Sequence, residues 1–185
     1  MRKITFSLLL FVLAFAANAQ DGSSKMNAFK VNIFSPIAKT GSFFYERKIN
    51  EKSSAQLGFG FTSYNKDDVK ISGIFITPEY RFYLSNNKEA IEGFYVGPYL
   101  RYQNLKIEDK SSDPSDPDKA TLSTFGGGLV IGHQWIFSNI VSLDIFAGPN
   151  YNSGKVKITS GSDVDVPGTF EGFGARFGVT LGLAF

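Results

Sequence analysis

The sequence predicts an all-β chain: a membrane up-and-down antiparallel β-barrel of about eight strands, following an N-terminal signal peptide. Three observations carry that prediction. Apolar residues alternate with small or polar ones at a period of two through most of the chain. Beyond Ala19 there are 16 Phe against 9 Leu, an inversion of ordinary usage that favours strands over helices. The face opposite the apolar one is mostly Gly, Thr, Ser and Gln with a few Arg, which suits the crowded lumen of a narrow barrel better than a solvated surface.

The first segment is read as a leader rather than as part of the fold. Arg2 and Lys3 form a basic start, Ile4 to Ala16 is apolar, and Ala17-Asn18-Ala19 supplies small residues for cleavage before Gln20. The apolar run is shorter than the ~20 residues of a spanning helix. Residues 1–19 are therefore assigned to a signal peptide, 20–27 to a short N-terminal segment and 28–185 to the barrel domain. The leader also biases the charge: 19 basic against 17 acidic residues become 17 of each once Arg2 and Lys3 are removed. The basic residues form no stripe, so no nucleic acid is expected as a partner. The absence of cysteine excludes disulfides, thiolate metal sites and catalytic thiols.

The strands follow in order at about 28–35, 42–49, 54–64, 69–84, 93–106, 121–136, 140–152 and 170–185. The last is the clearest. Phe173, Ala175, Phe177, Val179, Leu181, Leu183 and Phe185 alternate with Gly174, Arg176, Gly178, Thr180, Gly182 and Ala184. With the N-terminus in the periplasm, odd strands run outward, so the outer loops fall at about 36–41, 65–68, 107–120 and 153–169, and the inner turns at 50–53, 85–92 and 137–139. The turn at 85–92 is longer than such turns usually are. Tyr80, Phe82, Phe94, Trp135 and Phe185 gather at the inner strand ends like half of an aromatic girdle. Pro78, Pro98 and Pro149 lie inside strands, where each removes a ladder donor; bulges are the expected accommodation.

Strand parity turns Lys30, Glu46, Lys48, Glu79, Arg81, Arg101, Asp144 and Arg176 inward. In a barrel of this size charged side chains are expected to pair and fill the lumen. The core of that plug is expected to be Glu79 and Asp144 against Arg81, Arg101 and Arg176. His133, the sole histidine, falls on the apolar face beside Trp135 with no serine near it, which assembles no nucleophile–base pair and no metal site. Asp113, Asp116 and Asp118 lack the spacing of a dedicated calcium loop and read as a hydrated connection. Gly126-Gly127-Gly128 sits in a strand pattern with no helix after it, so it is not a phosphate loop. No catalytic residue, cofactor or metal is predicted.

Val179, Leu181, Leu183 and Phe185 resemble the terminal-strand signature of outer-membrane proteins. That resemblance implies recognition by the barrel-assembly machinery during biogenesis. The chain beyond the leader resembles the small eight-stranded OmpA/OmpX-like class. Phe44-Tyr45-Glu46-Arg47, Pro78-Glu79-Tyr80-Arg81-Phe82-Tyr83 and Gly93-Phe94-Tyr95-Val96-Gly97-Pro98 are similar to stretches in an uncharacterised group of such barrels. The expectation is a non-enzymatic envelope protein in contact with outer-membrane lipid, structural or displaying its loops. The alternatives are a small pore or transporter and, further off, a lipid-modifying enzyme or a soluble ligand-binding barrel.

Overall fold

A computed structural model describes residues 25–66, 68–109, 118–160 and 171–185. The leader at 1–19, together with Asp113 and Asp116, lies outside the described residues. The strands are β1 (Asn27–Asn32), β2 (Thr40–Asn50), β3 (Ser53–Lys66), β4 (Val69–Tyr83), β5 (Gly93–Asp109), β6 (Asp118–Phe137), β7 (Val141–Ser160) and β8 (Gly172–Ala184). They form a closed barrel in sequence order. Every seam is antiparallel, including the closing one, where β1 meets β8 from Ala28↔Ala184 to Asn32↔Thr180. Phe185 continues that seam: its backbone N–H donates to Asn27 O at 2.8 Å, and its carbonyl accepts from Met26 and Asn27. Among the described residues no helix is long and apolar enough to cross a membrane.

The barrel has two unlike ends. At the turn end, short links join β2 to β3 and β6 to β7, and both described termini lie there. At the loop end, β5, β6 and β7 run on for 17, 20 and 20 residues. This corrects the expected loops at 107–120 and 153–169, because β5 continues to Asp109, β6 begins at Asp118 and β7 continues to Ser160. Ser153-Gly154-Lys155 has turn-like composition, but pairing with Thr124 and Ser123 keeps it in the sheet.

The outer wall explains the extra length. Exposed apolar residues run from Ile74 to Phe82 on β4, Phe94 to Tyr102 on β5 and Val141 to Tyr151 on β7, spans of nine, nine and eleven residues. A tilted membrane strand needs about 9–11 residues. Towards the loop end the outward positions then turn polar together: Phe61 gives way to Ser63, Ile74 to Ser72, Tyr102 to Asn104, Phe125 to Ser123 and Tyr151 to Ser153. Asn104 donates a hydrogen bond to Ser123 Oγ at 2.8 Å, and Lys70 pairs with Glu108 at 3.6 Å. Beyond the same level the inward positions become apolar, with Leu105, Ile107, Ala120 and Leu122 buried. The apolar outer surface thus ends part-way along these strands, and they continue beyond it with a polar outward face.

Inside the belt, large residues alternate with absent ones. Phe44 pairs with Gly58, Phe75 with Gly60, Tyr95 with Gly132 and Phe146 with Gly178, so each buried ring occupies space a glycine leaves on the next strand. A Cβ on Gly178 would stand 2.6 Å from Phe146 Cζ. Gly178→Val is therefore expected to destabilise by about 1–3 kcal/mol through overpacking, read as a lower urea midpoint in lipid vesicles. The inward face is accordingly more aromatic than its expected small and polar character.

The prolines are accommodated without bulges, contrary to expectation. Ile76↔Tyr102, Glu79↔Tyr99 and Phe82↔Val96 keep one register across Pro78 and Pro98, with the intervening positions unpaired. Gly128↔Asn150 and Ile131↔Ala147 do the same across Pro149. The register shifts occur elsewhere, at Lys48/Asn50 and Lys119/Ala120. All three proline rings face outward, and each lost donor leaves a local gap in one seam. Gly97 and Gly148 precede two of them because the neighbouring strand comes close there: a Cβ would collide with the carbonyl oxygen of Tyr80 or Leu129.

The long connection at 84–92 folds back over the turn-end mouth. Ile91 is 1% exposed and Ala90 3%, and both belong to the core cluster with Ala28, Tyr83, Tyr95 and Ala184. The Ala90 backbone N–H donates to Glu51 O at 2.7 Å, Lys52 Nζ donates to Ser85 O at 2.6 Å, and Lys48 pairs with Glu89. This connection is a cap.

Candidate functional site

Behind the cap, side chains from every strand meet in one buried polar network. Lys30 on β1 donates to Glu46 Oε2 on β2 at 2.6 Å, to Gln134 Oε1 on β6 at 2.6 Å and to Asp144 Oδ2 on β7 at 3.2 Å. Arg81 on β4 donates through Nη1 to Asp144 Oδ2 at 2.9 Å and through Nε to Glu79 Oε1 at 2.6 Å. Arg176 on β8 donates to Glu79 Oε2 at 2.6 Å. Glu46 Oε1 accepts from Ser54 on β3 at 2.5 Å and from Tyr83 at 2.7 Å, while Tyr95 on β5 donates to Asp144 Oδ1 at 2.8 Å. Lys30, Glu46, Arg81 and Asp144 have no exposed side-chain surface.

Alternation produces this convergence. In a closed sheet each strand turns every second residue inward, and pairing aligns those positions, as in Lys30↔Gly182 and Gln134↔Asp144. Three cations face three carboxylates, so the network is neutral as a set. Desolvation of each charge is offset only because partners surround it. Ring stacking adds to the cation sites: the Arg81 guanidinium lies 4.1 Å from the Tyr95 ring centre, and that of Arg176 lies 4.4 Å from Tyr99.

Of the side chains expected in the plug, Glu79, Arg81, Asp144 and Arg176 are brought together. Arg101 is not. It has no carboxylate partner among the described residues and lies over the Phe75 ring at 4.0 Å. Lys30 and Glu46, inward by parity, turn out to be central, and Gln134, Tyr83 and Tyr95 complete the set. Their role was hidden in the sequence because Lys30 and Asp144 are 114 residues apart.

On the loop-end side of this plug the lumen opens into a cavity of about 670 Å3. Arg101 and Arg176 line it with Phe44, Phe75, Leu105 and Phe146. His133 stacks on Trp135 at 4.2 Å on the outer wall, and its cross-strand neighbours are Phe94 and Ile145. That pairing brings no nucleophile to it.

Residues 5–180 match the family described as "Protein of unknown function (DUF3575)". The chain belongs to that family. Among solved structures it is similar to the N-terminal β-barrel domain of OprF from Pseudomonas aeruginosa, at 15% identity and a TM-score of 0.43, over 87% of this chain and 96% of that one. No curated protein matches it.

Proposed function

We propose that the chain is an integral outer-membrane barrel that acts without enzymatic chemistry, anchoring its loop-end sheet and loops outside the membrane. The observation that carries this reading is the exposed apolar belt, nine to eleven residues tall, around a lumen that holds the buried charges. A soluble barrel would place those faces the other way round. In bilayer hydrocarbon a closed barrel leaves no strand edge unpaired, and the turn end faces the periplasm, as short turns do in such barrels. Outer-membrane lipid is then the partner of the belt. The terminal residues Val179, Leu181, Leu183 and Phe185 are proposed as the signal read by the barrel-assembly machinery. Removing Phe185 should lower the amount of assembled barrel in membranes without lowering its synthesis.

The test is fractionation followed by gel mobility with and without boiling. The chain should appear in the outer-membrane fraction, and its unboiled form should migrate apart from the boiled one. Recovery in the soluble periplasmic fraction would contradict the reading. A pore is disfavoured because the ion-pair network and the Ile91 cap both lie across the lumen. Purified protein in planar bilayers is expected to be silent, and steady stepwise conductance would favour the pore instead.

A further inference from the structure

The loop-end cavity and the odd arginine beside it belong together. Glu46, Glu79 and Asp144 are already engaged by Lys30, Arg81 and Arg176. Arg101 is the cation left over. Its Nε is buried and makes no hydrogen bond among the described residues. A guanidinium cannot shed its proton to escape that situation, and the Phe75 ring beneath it supplies only part of what water or an anion would. Arg176 lines the same cavity and commits Nη1 to Glu79. Above the arginines Phe75, Leu105 and Ile71 form an apolar part of the wall, with Thr62, Thr77 and Gln103 beside them. At about 670 Å3 the space lies within the usual range for small-molecule sites, about 300–1,000 Å3.

We propose that this cavity binds an amphipathic carboxylate of the fatty-acid type. Its headgroup is held by Arg101, with Arg176 beside it, and its chain lies against Phe75, Leu105 and Ile71. An anion is selected because the cavity floor presents guanidinium groups and no free carboxylate among the described residues. A planar two-oxygen headgroup matches the donor fork of an arginine. An apolar chain is accommodated because Phe44, Ile71, Phe75, Leu105 and Phe146 supply apolar surface beside the polar lining residues Ser42, Thr62, Thr77 and Gln103. The inference rests on the anchored-barrel reading for the cavity facing outward, and the experiment reports on the two separately.

The test uses the full mature barrel in nanodiscs of zwitterionic phosphatidylcholine, so that the bilayer itself offers no fatty acid. Decanoate, decanol and decyltrimethylammonium are titrated while the arginine Nε–H resonances are followed by NMR. Decanoate should shift the Arg101 Nε–H signal saturably and bind at least ten-fold more tightly than decanol, with the cation weaker still. Arg101→Gln should weaken decanoate binding about ten-fold or more while leaving the heat-dependent gel mobility intact, because Arg101 takes no part in the ion-pair network. Equal affinities for the acid and the alcohol, an unmoved Arg101 signal, or unchanged decanoate binding in Arg101→Gln would overturn the site while leaving the barrel standing. A wild-type protein without the gel shift would count against the barrel and the site together.

Discussion

Arg81→Met is expected to destabilise the folded barrel by about 3–5 kcal/mol, the cost of removing one partner from a buried charge network. Arg81 is fully buried and joins Glu79 to Asp144, with its Nη1 also 3.4 Å from Glu46 Oε2. Without it, three carboxylates face only Lys30 and Arg176 at the centre of the lumen. Met keeps much of the bulk and the contact with the Tyr95 ring, so the loss reports charge rather than a void. Urea unfolding in lipid vesicles measures it. Asp144→Asn in the same background should recover part of the loss by restoring the charge balance. A double variant that is no more stable than Arg81→Met alone would mean that the network is not coupled in the way its distances imply.

The second large effect lies on the outer wall. Leu129 faces outward within the belt on β6, 53% exposed to whatever surrounds the barrel. Leu129→Arg is expected to cost about 2–4 kcal/mol if that surrounding is the middle of a bilayer. Ser123→Arg, on the same strand and the same face but past the level where the wall turns polar, should cost close to nothing. The contrast between the two matters more than either value. Similar effects at both sites would remove the reason for placing the membrane boundary between Phe125 and Ser123.

Much of this architecture was legible from alternation alone, because a closed antiparallel sheet makes the inward or outward direction of a residue a matter of parity. The eight strand positions, the inward direction of Glu79, Arg81, Asp144 and Arg176, and the outward direction of His133 follow from that rule. Which inward charges touch does not, since shear and tilt decide how Lys30 reaches Asp144 across the lumen. Arg101 has the same parity as its expected partners yet lies over Phe75 towards the cavity. The cap was visible only as an overlong turn: Ala90 and Ile91 carry no periodic pattern, and their burial depends on partners from distant strands. The loop-end extension beyond residue 106 and before residue 121 was read as loop because the stretch from Glu108 to Lys119 is acidic and lysine-rich, and its apolar neighbours Ile107 and Ala120 face inward rather than outward. The prolines were expected to bend the ladder; instead the register holds and the donors are simply missing.

That change of face is the most direct target for measurement. Single spin labels placed in turn at the outward positions of β5, from Phe94 through Val96, Leu100, Tyr102, Asn104 and Lys106 to Glu108, can be tested for access to oxygen dissolved in lipid and to a water-soluble nickel chelate. A barrel seated in the outer membrane through its apolar belt should give oxygen access from Val96 to Tyr102 and a switch to nickel access between Tyr102 and Asn104. Nickel access at Leu100 equal to that at Lys106 would show that water surrounds the whole wall, and would contradict the membrane placement.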